Sequence, residues 1–143
     1  MLYQTTEAHE TLRQKVREFA ETEVKPQAFM LDKENQFPAD IIKHMAGLGV
    51  MGIPYETKYG GAGSDVLSYA IAVEELARVD GGVGVILSAH TSLGTWPIAA
   101  FGTEEQKQKY LVPLCKGEKL VELNRRAFEA GRAAVGAAEA ALA

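Results

Sequence analysis

The chain has 143 residues, of which 47% are hydrophobic and 24% charged, the balance of an ordinary foldable domain and not of a disordered segment. A formal net charge of -4, with no dense basic cluster, excludes the electrostatic footprint of a nucleic-acid binder. The single cysteine, Cys115, can close no internal disulfide, which fits a cytoplasmic protein, and without a helix start or basic trio around it it reads as a small hydrophobe.

From Glu7 to Val24 the apolar residues Leu12, Val16, Phe19, Ala20 and Val24 recur at steps of four, three, one and four, one stripe of an α-helix. Thr6 is its expected N-cap, with His9 and Glu10 in the first turn. Pro26 is expected to interrupt or kink this helix, with Ala28 to Lys33 continuing in a new direction. Phe37 and Pro38 open a short helix whose buried side is Ile41, Ile42, Met45 and Leu48, and Gly47 and Gly49 supply its stop.

Val50 to Ser64 reads as a connecting loop broken by Gly52, Pro54, Gly60, Gly61 and Gly63. Its glycines carry neither the Lys-Ser/Thr continuation of a phosphate loop nor a preceding strand, so they are expected to serve close backbone approach. Asp65 caps a helix running to about Val79, with Val66, Leu67, Ala70, Ile71, Val73, Leu76 and Ala77 over most of its circumference. Glu74 and Glu75 point about 100° apart on that helix and cannot form a facing acid-base pair. Glu75 is expected to face solvent, and Glu74 to pair with Arg78.

Gly81 to Thr103 lacks Asp, Glu, Lys and Arg, yet Ser88, His90, Thr91, Ser92, Thr95 and Pro97 make it too polar for a lipid-facing span. It is the expected central buried helix, packing Ile86, Ala89, His90 and Leu93 against the Asp65 to Val79 helix. Thr103 and Gln106 form a capping box for Glu104 to Cys115, with Tyr110, Leu111 and Leu114 inward and Lys116, Gly117 and Glu118 as its end. His9, His44 and His90 have no second ligand three or four residues away, so no metal site is expected. The predicted fold is all-α, a helical bundle with two buried central helices covered by amphipathic ones.

The run Tyr59, Gly60, Gly61, Ala62, Gly63, Ser64, Asp65, continued by VLSYAIAVEELARVDGGVGVILSAHTSLGTWPIAAFG, resembles the N-terminal helical domain of the acyl-CoA dehydrogenases, flavoenzymes that desaturate acyl thioesters. The order of segments is similar from about Leu2 to Leu120. The resemblance implies a parent enzyme that acts on short acyl-CoA esters with FAD and passes electrons to electron-transferring flavoprotein. It also implies that Ile86, Ala89, His90 and Leu93 wall the acyl pocket, and that Leu12 and Val16 lie where relatives dock their redox partner. The flavin-contacting segment and the catalytic carboxylate of that family have no counterpart here. No catalytic or cofactor-binding residue is therefore assigned, and the chain alone is expected to be inactive and without bound flavin. A homo-oligomer is compatible with the same resemblance.

Residues 1–120 thus form one expected domain. Residues 121–143 turn alanine-rich, a strong helix-forming composition. Their end is similar to the first helix of the family's C-terminal domain, as if joined after loss of the β-domain; an unrelated tail is the alternative. Leu123, Ala127, Ala130, Ala134, Ala137 and Ala141 recur at steps of four and three, a stripe suited to docking on the bundle. A non-enzymatic helical scaffold or interaction module is the competing reading of the whole.

Overall fold

The computed structural model describes residues 4–118, so the expected tail helix and the join near Leu120 lie outside the described residues. The first helix, α1 (Glu7–Phe19), opens at Thr6, whose hydroxyl accepts the His9 N–H while His9 Nδ1 accepts the Thr6 N–H at 3.0 Å. A histidine thus closes the capping box where Glu or Gln is usual. With Nδ1 accepting, Nε2 carries the proton and donates to the Asp65 carboxylate at 3.0 Å. Asp65 in turn caps α4 (Val66–Ala77) by accepting the Ser68 N–H at 2.8 Å. That backbone bond, with His9 second, holds the Asp65 carboxyl down at about 2.

Pro26 does not interrupt the first long helix. A π-helical turn at Ala20–Val24 precedes α2 (Lys25–Lys33), and the Lys25 N–H reaches back five residues to the Ala20 carbonyl. The same device recurs ahead of Pro97, between α5 (Gly81–Ala89) and α6 (Trp96–Phe101), and ahead of Pro113, between α7 (Glu104–Gln106) and α8 (Val112–Cys115). Proline lacks an N–H and its ring crowds the carbonyl four residues back, so one widened turn before it lets the helix continue.

The helices α1, α4 and α5 pack in sequence, with α3 (Ala39–Gly47) completing the core. Val16, Phe19, Ala20, Val24, Ile41, Ile42, Met45, Ala72, Leu76, Val83 and Leu87 are all buried there. Val16 is only 1% exposed and Leu12 packs beside it, so Val16 offers no docking surface: its stripe is spent on the core. Gly84 marks a close approach of α5 to α4, since a Cβ there would lie 2.7 Å from that of Ala77.

Glu75 reverses the expectation made for it. Its side chain is 1% exposed and is met by Arg17 at 2.7 and 2.8 Å, Arg13 at 3.0 Å and Arg78 at 3.4 Å. The helical step puts it on the stripe of Ser68, Ile71 and Ala72, which faces into the bundle, and three guanidiniums neutralise it there. Pairing with Arg17 above all holds its carboxyl at about 2. Glu74, the exposed neighbour, pairs with Arg13 and not with Arg78, which reaches Glu75 and Glu21 instead.

The segment from Val50 to Ser64 is more than a connection. Val50, Met51 and Ile53 enter the main core, while Tyr55 and Tyr59 pack with Leu111 and Cys115 in a second cluster. A Cβ on Gly61 would stand 2.1 Å from the Tyr55 carbonyl oxygen, the close approach expected of these glycines. Gly49, at φ 80°, ends α3 in the left-handed conformation. Cys115 is buried against Gly52, and burial pushes its thiol up to about 11. Leu111 points inward as expected, but Tyr110, in the π turn at Lys107–Leu111, is 43% exposed.

Candidate functional site

An open apolar groove of about 1330 Å³ runs between α2, the bend at 35–38, α5 and the π turn His90–Thr95, with Ile98, Tyr110 and Leu114 closing one end. Ile86, Ala89, His90 and Leu93 all line it, joined by Val85 and by Phe29 from α2. The structure brings the four sequence-predicted residues together, but not as the face packed on α4. Leu93 is 75% exposed and Ile86 and Ala89 are half-buried, whereas Val83, Gly84 and Leu87 carry the packing. A helix without charges has no polar stripe to mark its outer side, and both of its faces read as core.

His90 joins the two faces. Its ring is 4% exposed and Nε2 donates to the Met51 carbonyl at 3.1 Å, which leaves Nδ1 as an acceptor. Burial pushes the imidazole below its ordinary pKa, with the Met51 carbonyl opposing, so the ring is neutral. Neither His90 Nδ1 nor the Thr91 hydroxyl has a partner among the described residues. The Thr95 hydroxyl donates to the His90 carbonyl and the Tyr55 hydroxyl to the Thr91 carbonyl, the latter at 2.6 Å. The Tyr55 bond and that of His90 to Met51 clamp the π turn to the Val50–Ser64 segment, while the Thr95 bond closes the turn on itself. Burial raises Tyr55 to about 12, so it stays a donor.

Two carboxylates reach the groove lining, Asp32 and Asp80, and Asp80 is engaged as the N-cap of α5 through the Val83 N–H at 2.9 Å. No group of three His, Cys, Asp or Glu among the described residues could hold a metal. His9 is tied to Asp65 and His44 to Glu23. The glycine loop does not fit a pyrophosphate: the amides of Gly61, Ala62, Gly63 and Ser64 already donate to Glu56, Gly52, Tyr55 and Ile53. What the groove can do is receive an apolar chain.

Sequence reasoning missed Phe29 and Val85 as groove residues. It also missed a second hollow of about 560 Å³ beside Tyr55, Val66, Tyr69 and Trp96. Trp96 stands 5.5 Å from Phe101 in an edge-to-face pair, and both are exposed. Aromatic residues flanking Pro97 in a charge-free run were the available signal.

The described residues thus form an all-helical bundle with an open, one-sided apolar groove. The chain belongs to the acyl-CoA dehydrogenase family: residues 6–118 match the family model described as "Acyl-CoA dehydrogenase, N-terminal domain". It is 60% identical over 120 residues to the short-chain specific acyl-CoA dehydrogenase of Clostridium acetobutylicum, covering 84% of this chain and 32% of that protein. The solved butyryl-CoA dehydrogenase of Megasphaera elsdenii superimposes with a TM-score of 0.77 at 41% identity, over 82% of this chain and 31% of that one. An acyl-CoA dehydrogenase from Bacillus anthracis, solved in complex with FAD, gives 0.75 at 34% identity, over 80% and 20%. The chain spans about a third of the length of the short-chain relative. No helix among the described residues is long and apolar enough to cross a membrane.

Proposed function

We propose that this chain is the helical domain that walls the acyl site of a flavin-dependent enzyme desaturating short acyl-CoA thioesters. The observation that carries this reading is the gathering of Ile86, Ala89, His90 and Leu93 on one side of the apolar groove, in a chain of this family. Neutral His90, fixed by Met51, and the small Ala89 leave a wall that favours an uncharged aliphatic chain. In such an enzyme the flavin supplies the acceptor for the hydride leaving the β carbon. The described residues do not cradle its phosphates, and neither groove carboxylate is placed as the base. The reading therefore includes no turnover by this chain alone.

Butyryl-CoA titrated into methyl-labelled protein tests the wall. Shifts are expected at the methyls of Ile86, Leu93 and Val85 with butyryl-CoA and not with free CoA. Equal shifts with both, or none, would overturn the reading. Dye-coupled turnover of butyryl-CoA above a no-protein control would overturn the inactivity.

A further inference from the structure

The groove carries charge of one sign. Among the described residues that line it are Asp32 and Asp80 and no lysine or arginine, and its histidine, His90, is neutral. Asp32 lies in the last turn of α2, where the carbonyl end of the helix dipole is itself negative, so the charge and the dipole add. Lys33 follows it but does not line the groove. Asp80 stands half-buried at the head of α5, and its Oδ1 accepts the Val83 N–H at 2.9 Å. Gly82 leaves it that place, since a Cβ there would come within 3.1 Å of the same oxygen.

The start of α5 is the feature of this lining that could favour an anion, and Asp80 already occupies it. A helix start is worth about half a positive charge, against the two whole negative charges of the carboxylates. The sum is negative. Apolar walls weaken the screening that water supplies, so a charged group lying in the groove feels that field more strongly than one on an open surface. We propose that Asp32 and Asp80 act as a charge filter: the groove admits an apolar chain that ends in a neutral or an ammonium group and refuses one that ends in a carboxylate. The inference deepens the acyl-wall reading and rests on it for the substrate, which becomes the thioester of a monocarboxylic acid and not of a dicarboxylic one. The two aspartates select the chain and take no part in bond making.

Octanol, octanoate and octylammonium share one apolar chain and differ only at its end. Each is titrated into the methyl-labelled chain at neutral pH, with shifts read at Ile86, Val85 and Leu93. The wild-type chain should bind the alcohol and the ammonium, and octanoate several-fold more weakly. Because a carboxylate prefers water in any case, the deciding comparison is with the variant carrying both Asp32→Asn and Asp80→Asn. That variant should bind octanoate several-fold better and octylammonium several-fold worse, with the alcohol unchanged. Asparagine preserves the cap at the head of α5, and Asp32→Asn alone, on an exposed residue, should move the two ions in the same opposite directions by a smaller factor. Added salt should narrow the gap between the ions in the wild-type chain. Ions that respond alike to the substitutions, or not at all, would overturn the proposal, as would an alcohol that shifts none of the three residues. Butyryl-CoA separates that failure from failure of the acyl reading. If it binds while the ions ignore the substitutions, the filter alone falls; if the ions respond as expected while butyryl-CoA shifts nothing, the filter stands and the acyl reading falls.

Discussion

The α1–α4–α5 seam and the groove wall are built from similar residues and do opposite things. In the seam every large side chain meets a partner, and even a carboxylate is buried among three guanidiniums. On the wall, residues of the same helix α5 and the turn after it leave apolar surface facing a hollow. Apolar character therefore does not separate a core from the wall of an open groove. Only the neighbouring elements do, and the contrast predicts large losses on one side of α5 and small ones on the other.

The largest loss should follow Glu75→Ala. Removing the carboxylate takes away the buried partner shared by Arg13, Arg17 and Arg78, of which Arg13 keeps Glu74 and Arg78 keeps Glu21, and breaking a buried pair on one side costs ~3–5 kcal/mol, read by urea unfolding. The same group predicts acid sensitivity. Its carboxyl sits at about 2 in the fold against an ordinary value of 4.5, so its stabilisation is complete above about pH 4.5 and is lost as pH falls from there toward 2. A shift of that size corresponds to roughly 3 kcal/mol. In Glu75→Gln this part of the acid unfolding curve should flatten; an unchanged curve would mean that other carboxylates govern it.

Leu87→Ala comes next. Leu87 is fully buried against α4, and truncating it should cost ~2–5 kcal/mol. Gly84→Ala should be smaller and opposite in kind, because it adds atoms where the Ala77 backbone stands within 3 Å. Overpacking costs ~1–3 kcal/mol, of which the better helix propensity of alanine returns up to ~1. A stabilised Gly84→Ala would show that α4 and α5 leave room for a methyl group at their crossing.

The sequence carried most of the fold, for reasons that can be assigned. Helix starts at Thr6, Asp65 and Thr103 were legible because a cap is a local hydrogen bond between residues three apart. The close approach at Gly61 was legible for a similar reason. Glu75 was not, because its partners Arg13 and Arg17 lie about sixty residues away and nothing local marks them. The unbroken run through Pro26 was not legible because a π turn is invisible in the sequence, and neither was the outward placing of Tyr110. Ile86, Ala89, His90 and Leu93 were grouped through resemblance as an acyl-pocket wall, and in the fold the four line one groove. Their outward exposure was not legible, since a charge-free helix has no polar stripe to orient it.

Leu93 makes the sharpest comparison with Leu87. The two leucines lie six residues apart on one continuous helical run, and both truncations delete the same atoms. Hydropathy alone predicts equal costs. The structure predicts that Leu93→Ala costs no more than about 1 kcal/mol, since a side chain 75% exposed has little burial to lose and surface changes usually stay within ~0.5 kcal/mol. What Leu93→Ala should change instead is the groove: dye binding should alter while the urea midpoint stays close to that of the parent chain. A midpoint falling as far as in Leu87→Ala would place Leu93 inside the core, reverse the facing of the π turn at His90–Thr95, and with it remove the wall on which the site is built.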